Sequence, residues 1–487
     1  MKNDGAILPL KKTDSVAVIG ALAKKLRYQG AGSSHINAWK TVSFLDALKQ
    51  NGKAVTYADG YSLKGDGFSP KLIEEACQAA KMRDAVIVFV GLTDAFESEG
   101  FDRKHIKMPS SHAFLIDALS RVNPNIIVVL SCGSPVQMKP WDNKAKAILN
   151  MYLAGQAGGE ACYDLIFGKA NPSGKLAETF PLINEDALSA QYFPMGPRTV
   201  EYREGIFVGY RYFDTAKKAV AYPFGHGLSY TKFEYSGLKL SKKTVKEGEK
   251  LTVTFTLKNI GEVDGAEVAQ VYVASPESKI FKAEKELKGF KKVFLKAGES
   301  AKVEIELDER AFSYYNVNIC DWHAESGKYG IKVGASSRDI RLEGEVTVKT
   351  AKADVEVPDY SESAPAYYDL ANTTYVPDDQ FKAVLAREIP DNSEYEKGEL
   401  TINCSVSQVA VSPFGKALYG LLTNGAKVVA LTAENPDMIT ESIKDMPLRS
   451  FSGFTGGLLS QESVDGILDL CNGKKGGFKK IVDGFKK

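Results

Sequence analysis

A chain of 487 residues is long enough for roughly two to four domains, each with its own hydrophobic core. Hydrophobic residues make up 44% and charged residues 25%, a globular composition that argues against extensive disorder. The formal net charge of +1 provides no strong field for nucleic acid or an anionic membrane, so we expect neither as a partner.

Apolar runs and helical patterns alternate over residues 1–190. The runs are short and rich in β-branched residues, and the segments between them carry apolar residues at i, i+3 and i+4 behind serine or threonine N-caps. This alternation predicts a mostly parallel sheet covered on both faces, an α/β/α sandwich domain. The predicted strands lie at 15–20, 85–91, 125–133 and 147–155, and the predicted helices at 41–50, 69–84 and 110–124. We interpret residues 191–231 as a linker.

The spacing at which apolar residues recur changes from about 3.6 residues to two residues at about residue 232. About seven short alternating strands, separated by Gly, Asn and Asp turns, predict an antiparallel β-sandwich of the fibronectin III type over residues 232–350. Catalytic residue types do not cluster in this sequence segment. We therefore interpret the sandwich as a structural brace.

Residues 351–487 predict an extended polar segment followed by a mainly helical C-terminal extension. The helical stretches are expected at 411–433, 435–454 and 460–473. The last stretch, 474–487, carries six lysines against one aspartate. We expect a solvated, frayed terminus there rather than a helix on a membrane surface.

Cysteine usage and the first residues bear on the cellular compartment. The six cysteines form no CxxC pair and show no spacing typical of metal ligands, which predicts reduced, mostly buried thiols, no disulfide framework and no metal site. Residues 1–15 contain no signal-peptide core, and no sequence window approaches a membrane span, so we expect a cytoplasmic location. The cysteines are Cys77, Cys132, Cys162, Cys320, Cys404 and Cys471.

Two carboxylates, Glu97 and Glu99, follow the predicted strand at 85–91. They lie on the loop that leaves the carboxyl end of that strand, where open α/β sheets bind their ligands. From spacing alone, two solvated loop glutamates are the favoured interpretation. The "GAGSSH" segment at 30–35 lacks both GxGxxG and the P-loop lysine, so we expect no nucleotide and no other cofactor there.

Several motifs occur in a fixed order along the chain. They are "MKNDGAILPL", "VAVIG", "YQGAGSSHIN", "ESEGFDRKHIKMP", "GEACYDLIFGKANPSGKLAETFP", "YREGIFVGYRYFD" and "YPFGHGLSYTKFEY". Together they resemble the α/β sandwich domain and the fibronectin III-like domain of glycoside hydrolase family 3, over residues 1 to about 350. The tail, with "MPLRSFSGFTGG", resembles a C-terminal extension of some bacterial members.

The resemblance implies a β-glucosidase-like retaining hydrolase acting on a β-linked glucoside or oligosaccharide. Family members of this type normally also have a TIM-like barrel, which binds most of the sugar and supplies an aspartate nucleophile. No (βα)8 pattern occurs in this sequence. We therefore interpret the chain as the non-barrel half of such an enzyme, a fragment or one partner of a split pair, which needs a barrel in cis or in trans. The sequence leaves open whether the chain forms a homodimer.

The resemblance also implies roles for single residues. The family's general acid/base is the glutamate of an "EGxDR"-like loop, which corresponds to Glu99, and Glu97 is the runner-up. The same resemblance suggests that Asp102 and Arg103 bind substrate. We further expect that the cleft is lined by Ser33, Ser34 and His35, with Gly30 and Gly32. Lone His226 is expected to stabilise a turn.

Two other functions stay open from the sequence. The first is a barrel-less, catalytically inactive carbohydrate-binding or scaffolding protein in which Glu99 is a relic. The second is a doubly wound nucleotide- or cofactor-binding protein with an appended sandwich, which the incomplete glycine loop disfavours.

Overall fold

An open six-stranded sheet organises the first third of the chain. The computed structural model describes residues 1–194, 196–275, 278–352, 354–431 and 436–485. Five strands of this sheet run parallel, and its shortest strand, β1, pairs antiparallel with β6. The strands are β1 (Lys2–Asn3), β2 (Val16–Ile19), β3 (Thr56–Ala58), β4 (Ala85–Gly91), β5 (Ile126–Ser131) and β6 (Ala147–Asn150), arranged side by side as β1-β6-β5-β4-β2-β3.

The two central strands, β4 and β5, are buried over their whole length. Their β-branched runs therefore form the core of the domain, in a register that places Val88 beside Val128. Four helices pack around the sheet, α1 against α4 and α2 against α3. They are α1 (Phe44–Gln50), α2 (Pro70–Ala80), α3 (Ser110–Ser120) and α4 (Gly158–Ile166).

Serine caps begin two of these helices, as the sequence predicts. The Ser43 hydroxyl accepts a hydrogen bond from the Asp46 amide at 3.1 Å, and the Asp46 carboxylate accepts one from the Ser43 amide at 3.1 Å. The Ser69 hydroxyl caps α2 by accepting from the Leu72 amide. These bonds satisfy amides that lack a partner in the first helical turn.

A fibronectin III-like sandwich follows residues 180–222, which contain the ribbon β7 (Phe180–Pro181) and β8 (Val220–Tyr222) and helix α5 (Tyr210–Thr215). Alternate residues of its strands point inward, as Val253, Phe255 and Leu257 do. The strands are β9 (Phe233–Leu240), β10 (Thr244–Lys246), β11 (Leu251–Asn259), β12 (Gly265–Ala274), β13 (Glu286–Leu295), β14 (Ser300–Leu307), β15 (Tyr314–Asn316), β16 (Asp321–His323), β17 (Gly327–Gly334) and β18 (Ile340–Lys349). A three-stranded sheet, β14-β11-β9, faces a five-stranded one, β10-β18-β17-β12-β13.

One pairing departs from the antiparallel expectation. The edge strand β10 runs parallel to β18. The chain reaches β10 by crossing from the sheet of β9 to the other sheet, so no tight hairpin forces the two strands to alternate in direction.

The segment interpreted as a linker, 191–231, shares a hydrophobic cluster with residues 360–389 of the extension. Tyr192, Phe207 and Phe213 from the first segment pack with Tyr367 and Phe381 from the second. Helix α6 (Asp378–Leu385) lies in this second segment. The extension is therefore built onto the region between the two domains.

Buried Arg203 is the polar centre of this junction. Its guanidinium donates to the Glu201 carboxylate at 2.6 Å, to the Val376 carbonyl at 2.9 Å and to the Asp378 carboxylate at 2.6 Å. The Glu201 side chain is buried as well. One arginine thus joins segments that lie more than 170 positions apart in sequence.

In the described part of the extension, five further helices surround a separate small core. They are α7 (Pro413–Ala430), α8 (Pro436–Asp445), α9 (Phe451–Phe454), α10 (Gln461–Cys471) and α11 (Gly477–Gly484). The expectation of a frayed terminus is wrong for 477–484, because Gly477 and Gly484 let α11 pack closely on α10. Residues 432–435 and 486–487, which the predicted helical stretches and the basic end include, lie outside the described residues.

The fold class predicted from the sequence is confirmed. A mostly parallel α/β domain precedes a fibronectin III-like sandwich and a helical extension, and no (βα)8 barrel forms in the described parts of the chain. Four cysteines are buried, Cys77 is half-buried and Cys320 is exposed, and all six are unpaired. Among the residues that the structure describes, no helix has the length and apolarity to cross a bilayer.

Arg203 provides a test of the junction. Replacing Arg203 with Ala leaves the buried Glu201 carboxylate without its cation, which should lower the free energy of unfolding by about 3–5 kcal/mol. The matched control is Arg121→Ala, because Arg121 is exposed and pairs with Asp117 at the C-terminal end of α3. That change should cost about 0.5 kcal/mol or less. Urea denaturation measures both, and equal small losses would contradict the junction's role.

Candidate active site

Three loops meet at the carboxyl edge of the parallel sheet. One leaves β4 and carries Glu97 and Glu99, one follows β2 and carries Arg27 and the 30–35 segment, and one follows β5 and carries Ser134. The parallel order of β2, β4 and β5 brings these loops to the same edge, because parallel strands end on the same side.

Glu97 points inward and is fully engaged. Its carboxylate accepts hydrogen bonds from the Arg27 guanidinium at 2.8 Å, from the Gly133 amide at 2.8 Å and from the Ser134 hydroxyl. Burial opposes ionisation of this carboxyl. The hydrogen bonds from Ser134 and Gly133, together with the charge of Arg27, outweigh burial and hold the pKa of Glu97 below its ordinary value.

Arg27 also fixes the backbone of the same loop. Its guanidinium donates to the Leu92 carbonyl at 2.6 Å and to the Glu97 carbonyl at 3.0 Å. Arg103 donates to the Ser134 hydroxyl at 2.6 Å and to the Pro135 carbonyl at 3.1 Å. The predicted substrate-binding residue Arg103 is therefore half-buried and bound to the loop after β5.

Glu99 lies two residues further along and is exposed. Its carboxylate accepts hydrogen bonds from the Ser33 hydroxyl, at 2.8 Å and 2.6 Å to the two oxygens, and from the Ser33 amide. These bonds hold the pKa of Glu99 below its ordinary value. The exposed carboxyl is therefore ionised at neutral pH.

Gly32 makes this contact sterically feasible. A Cβ on Gly32 would lie 2.3 Å from a Glu99 carboxylate oxygen and 2.5 Å from the Glu99 Cβ, and its φ of +107° is one that other residues rarely adopt. The glycine-rich segment therefore cradles a carboxylate.

The other predicted residues lie around the same edge. Ser34 and His35 are exposed on the 30–35 segment, where the His35 amide donates to the Gly32 carbonyl at 3.0 Å. Asp102 is exposed, and its charge acts on Asp445 of the C-terminal extension. His226 lies elsewhere, with its ring Nε2 2.8 Å from the Met1 carbonyl oxygen.

Sequence reasoning missed Arg27, Ser134 and Glu178. Burial, with a smaller contribution from the charge of Glu97, raises the pKa of Glu178 to about 7. Glu178 lies within one of the quoted motifs, but no motif indicates a shared site, because the three residues come from separate segments that only the fold brings together. Within the described residues, no group of three or more His, Cys, Asp or Glu side chains is placed to hold a metal ion.

The site combines one half-buried, ionised glutamate, Glu97, which shapes the loop, with one exposed glutamate, Glu99, at its tip. An exposed carboxyl that is held by a neutral hydroxyl and an amide is free to exchange protons with a bound molecule. The half-buried Glu97 carboxylate is instead occupied by Arg27, the Gly133 amide and the Ser134 hydroxyl.

Comparison with known proteins assigns both domains. Residues 1–230 match the glycosyl hydrolase family 3 C-terminal domain, and residues 267–337 match a fibronectin type III-like domain. The chain is similar to the solved structure of a family 3 β-glucosidase from Bifidobacterium adolescentis. The two share 48% identity and superpose with a TM-score of 0.69, over 72% of this chain and 51% of that one. β-Glucosidase 3B of Thermotoga neapolitana matches at 33% identity and a TM-score of 0.63, over 72% of this chain and 52% of that one.

The chain is also similar in sequence to named family relatives. Thermostable β-glucosidase B of Acetivibrio thermocellus is 42% identical over 477 residues, which cover 97% of this chain and 58% of the relative. An exo-α-(1→6)-L-arabinopyranosidase of Bifidobacterium longum is 47% identical over 70% of this chain and 46% of its own length. The chain thus spans about half the length of the relatives it matches. It belongs to glycoside hydrolase family 3, as the C-terminal α/β domain with the fibronectin III-like domain that follows it.

Proposed function

We propose that this chain is the non-barrel portion of a retaining β-glucosidase-like hydrolase and that Glu99 is its general acid/base. The observation that carries the proposal is the contrast between the two glutamates. Glu97 is half-buried against Arg27 and two further donors, whereas Glu99 presents its carboxylate to solvent at the tip of the same loop.

Retaining hydrolysis assigns two successive tasks to this residue. Protonated Glu99 donates to the oxygen of the leaving group while a carboxylate nucleophile attacks the sugar. The resulting Glu99 carboxylate then takes a proton from the water that releases the sugar. The nucleophile is proposed to come from a TIM-like barrel, in cis or in trans, that also holds most of the sugar.

The protonation state of Glu99 supports the need for that barrel. Ser33 and exposure to solvent both favour the anion, which is the wrong form for the first step. A second domain that closes over the loop would exclude water and raise the pKa of the carboxyl. The other site residues have matching proposed roles, with Arg103 holding the loop and Asp102, Ser34 and His35 facing the sugar.

The first prediction from this proposal concerns the chain as it stands. It should hydrolyse an aryl β-glucoside no faster than its own Glu99→Ala variant, since one acid cannot replace a two-carboxylate mechanism. The full-length Acetivibrio thermocellus relative, assayed in parallel, confirms that the assay detects turnover. Robust hydrolysis by the purified chain would place the active site elsewhere.

A second prediction applies once a barrel is supplied, for example by fusing the segment of that relative which this chain does not match. Glu99→Ala should lower kcat by about 10²–10⁴-fold for an alkyl glucoside. The loss should be smaller for a dinitrophenyl glucoside, whose leaving group departs without a proton, and azide should restore part of the rate. If an active fusion ignores this substitution, Glu99 is not the acid/base. A fusion with no activity at all favours a carbohydrate-binding or scaffolding role.

The third prediction separates the two glutamates. Glu97→Gln removes the anion beside buried Arg27 and should lower the free energy of unfolding by about 3 kcal/mol at neutral pH. Because folding lowers the pKa of Glu97 below its ordinary value of 4.5, this contribution is present above pH 4.5 and shrinks as the pH falls below it. Glu99→Gln is the control, since it changes the same group at an exposed position.

Urea denaturation across this pH range distinguishes the outcomes. In the fusion, Glu97→Gln should leave the dependence on leaving group unchanged. A stability loss that is larger for Glu99→Gln than for Glu97→Gln would reverse the two assignments.

A further inference from the structure

Helix α8 of the C-terminal extension contacts the loop that carries Glu99. A Cβ built on Gly100 would lie 2.2 Å from the Ser442 hydroxyl oxygen and 2.9 Å from the Met438 carbonyl oxygen. Gly100 has a φ of +91°, so both its conformation and its contact with α8 require glycine. The helix therefore lies directly against the backbone of the residue that follows Glu99.

A second interaction, purely electrostatic, lies at the other end of the helix. Burial, with the negative charges of Glu441 and Asp102, raises the pKa of Asp445. Asp445 is thus close enough to the loop to respond to the carboxylate of Asp102. Glu441 is itself paired with Lys444 at 2.6 Å. The helix therefore touches the loop at Gly100 and senses the charge of Asp102.

The chain that leaves α8 is anchored. The Lys444 and Met446 carbonyls accept hydrogen bonds from the Ser407 and Val406 amides, each at 3.0 Å. The Gln408 side chain in turn donates to the Pro197 carbonyl, in the segment that joins the two domains. The position of α8 is therefore set by the junction between the domains.

Helix α8 packs against the loop but leaves the Glu99 carboxylate accessible to solvent. Its contacts fall on Gly100, while the Glu99 carboxylate stays exposed and bound to Ser33. A general acid must be held in place, because a displacement of about 1 Å can cost on the order of 100-fold in rate. The loop tip has Ser33 on one side and α8 on the other.

We propose that α8 positions the candidate acid/base by packing against Gly100, at a contact formed by the Met438 carbonyl and the space that the small Ser442 side chain leaves. The proposal rests on the role proposed for Glu99. It gives the C-terminal extension a part in catalysis that neither the α/β domain nor the sandwich supplies.

The first arm of the test uses the full chain and needs no activity. Ser442→Phe should push the loop away and weaken the bond from the Glu99 amide to the Ala31 carbonyl, now 3.3 Å. We expect hydrogen exchange at this amide to accelerate about tenfold, within the coupling seen between residues in contact. Ser442→Ala, which keeps the space open, should leave the exchange rate unchanged.

Thr440→Phe is the matched control on the same helix. Thr440 lines a cavity of about 460 Å³ between α7 and α8. The same aromatic side chain at that position can therefore be accommodated away from Gly100. Exchange at Glu99 should keep its original rate in this variant, whereas an equal acceleration in both variants would indicate general loosening of the extension and overturn the inference.

The second arm uses the barrel fusion. Ser442→Phe should lower kcat about 10–100-fold for an alkyl glucoside and much less for a dinitrophenyl glucoside, with KM nearly unchanged. Equal losses for both substrates would overturn the inference, and so would an unchanged exchange rate in the first arm, whatever the activity. A fusion that is insensitive to Glu99→Ala would instead overturn the proposed function.

Discussion

The ion pair between Arg27 and Glu97 is the contact on which the carboxyl edge of the sheet depends. One guanidinium binds the Glu97 carboxylate and two carbonyls of the same loop, and the carboxylate binds the loop after β5. Buried ion pairs contribute little net stability compared with apolar packing, but they fix which groups can meet. Here the pair draws Glu97 inward, and Glu99 consequently emerges at the tip.

Arg203 performs the same task at the junction between the domains. It binds two carboxylates and one carbonyl from segments far apart in sequence, which the planar fork of donors on arginine allows. Through this junction the C-terminal extension gains a defined place beside the α/β domain. The contact of α8 with Gly100 depends on that placement, so an arginine distant from the site contributes to its geometry.

Local patterns predicted the parts of the fold that local patterns determine. The β-branched run at 85–91 became β4 with the same bounds, and Ser43 and Ser69 cap helices as expected. Strands β1 and β3 were missed because segments of two or three residues are too short to show a periodic spacing of apolar residues. The core shared by 191–231 and 360–389 was missed as well, because no periodic signal links such distant segments. The family resemblance pointed to Glu99, but the different surroundings of Glu97 and Glu99 depend on Arg27 and Ser134, which lie 70 and 37 residues from Glu97.

The same arrangement leaves one requirement of acid catalysis unmet within this chain. The hydrogen bonds from Ser33 to the Glu99 carboxylate stabilise its anion, and an exposed anion suits the base of the second step but not the acid of the first. Raising the pKa of the carboxyl takes exclusion of water, which a loop tip cannot provide for itself. On the proposed assignment the chain therefore sets the position of the carboxyl, through Arg27, Ser33 and α8. A domain that closes over the loop would set its protonation.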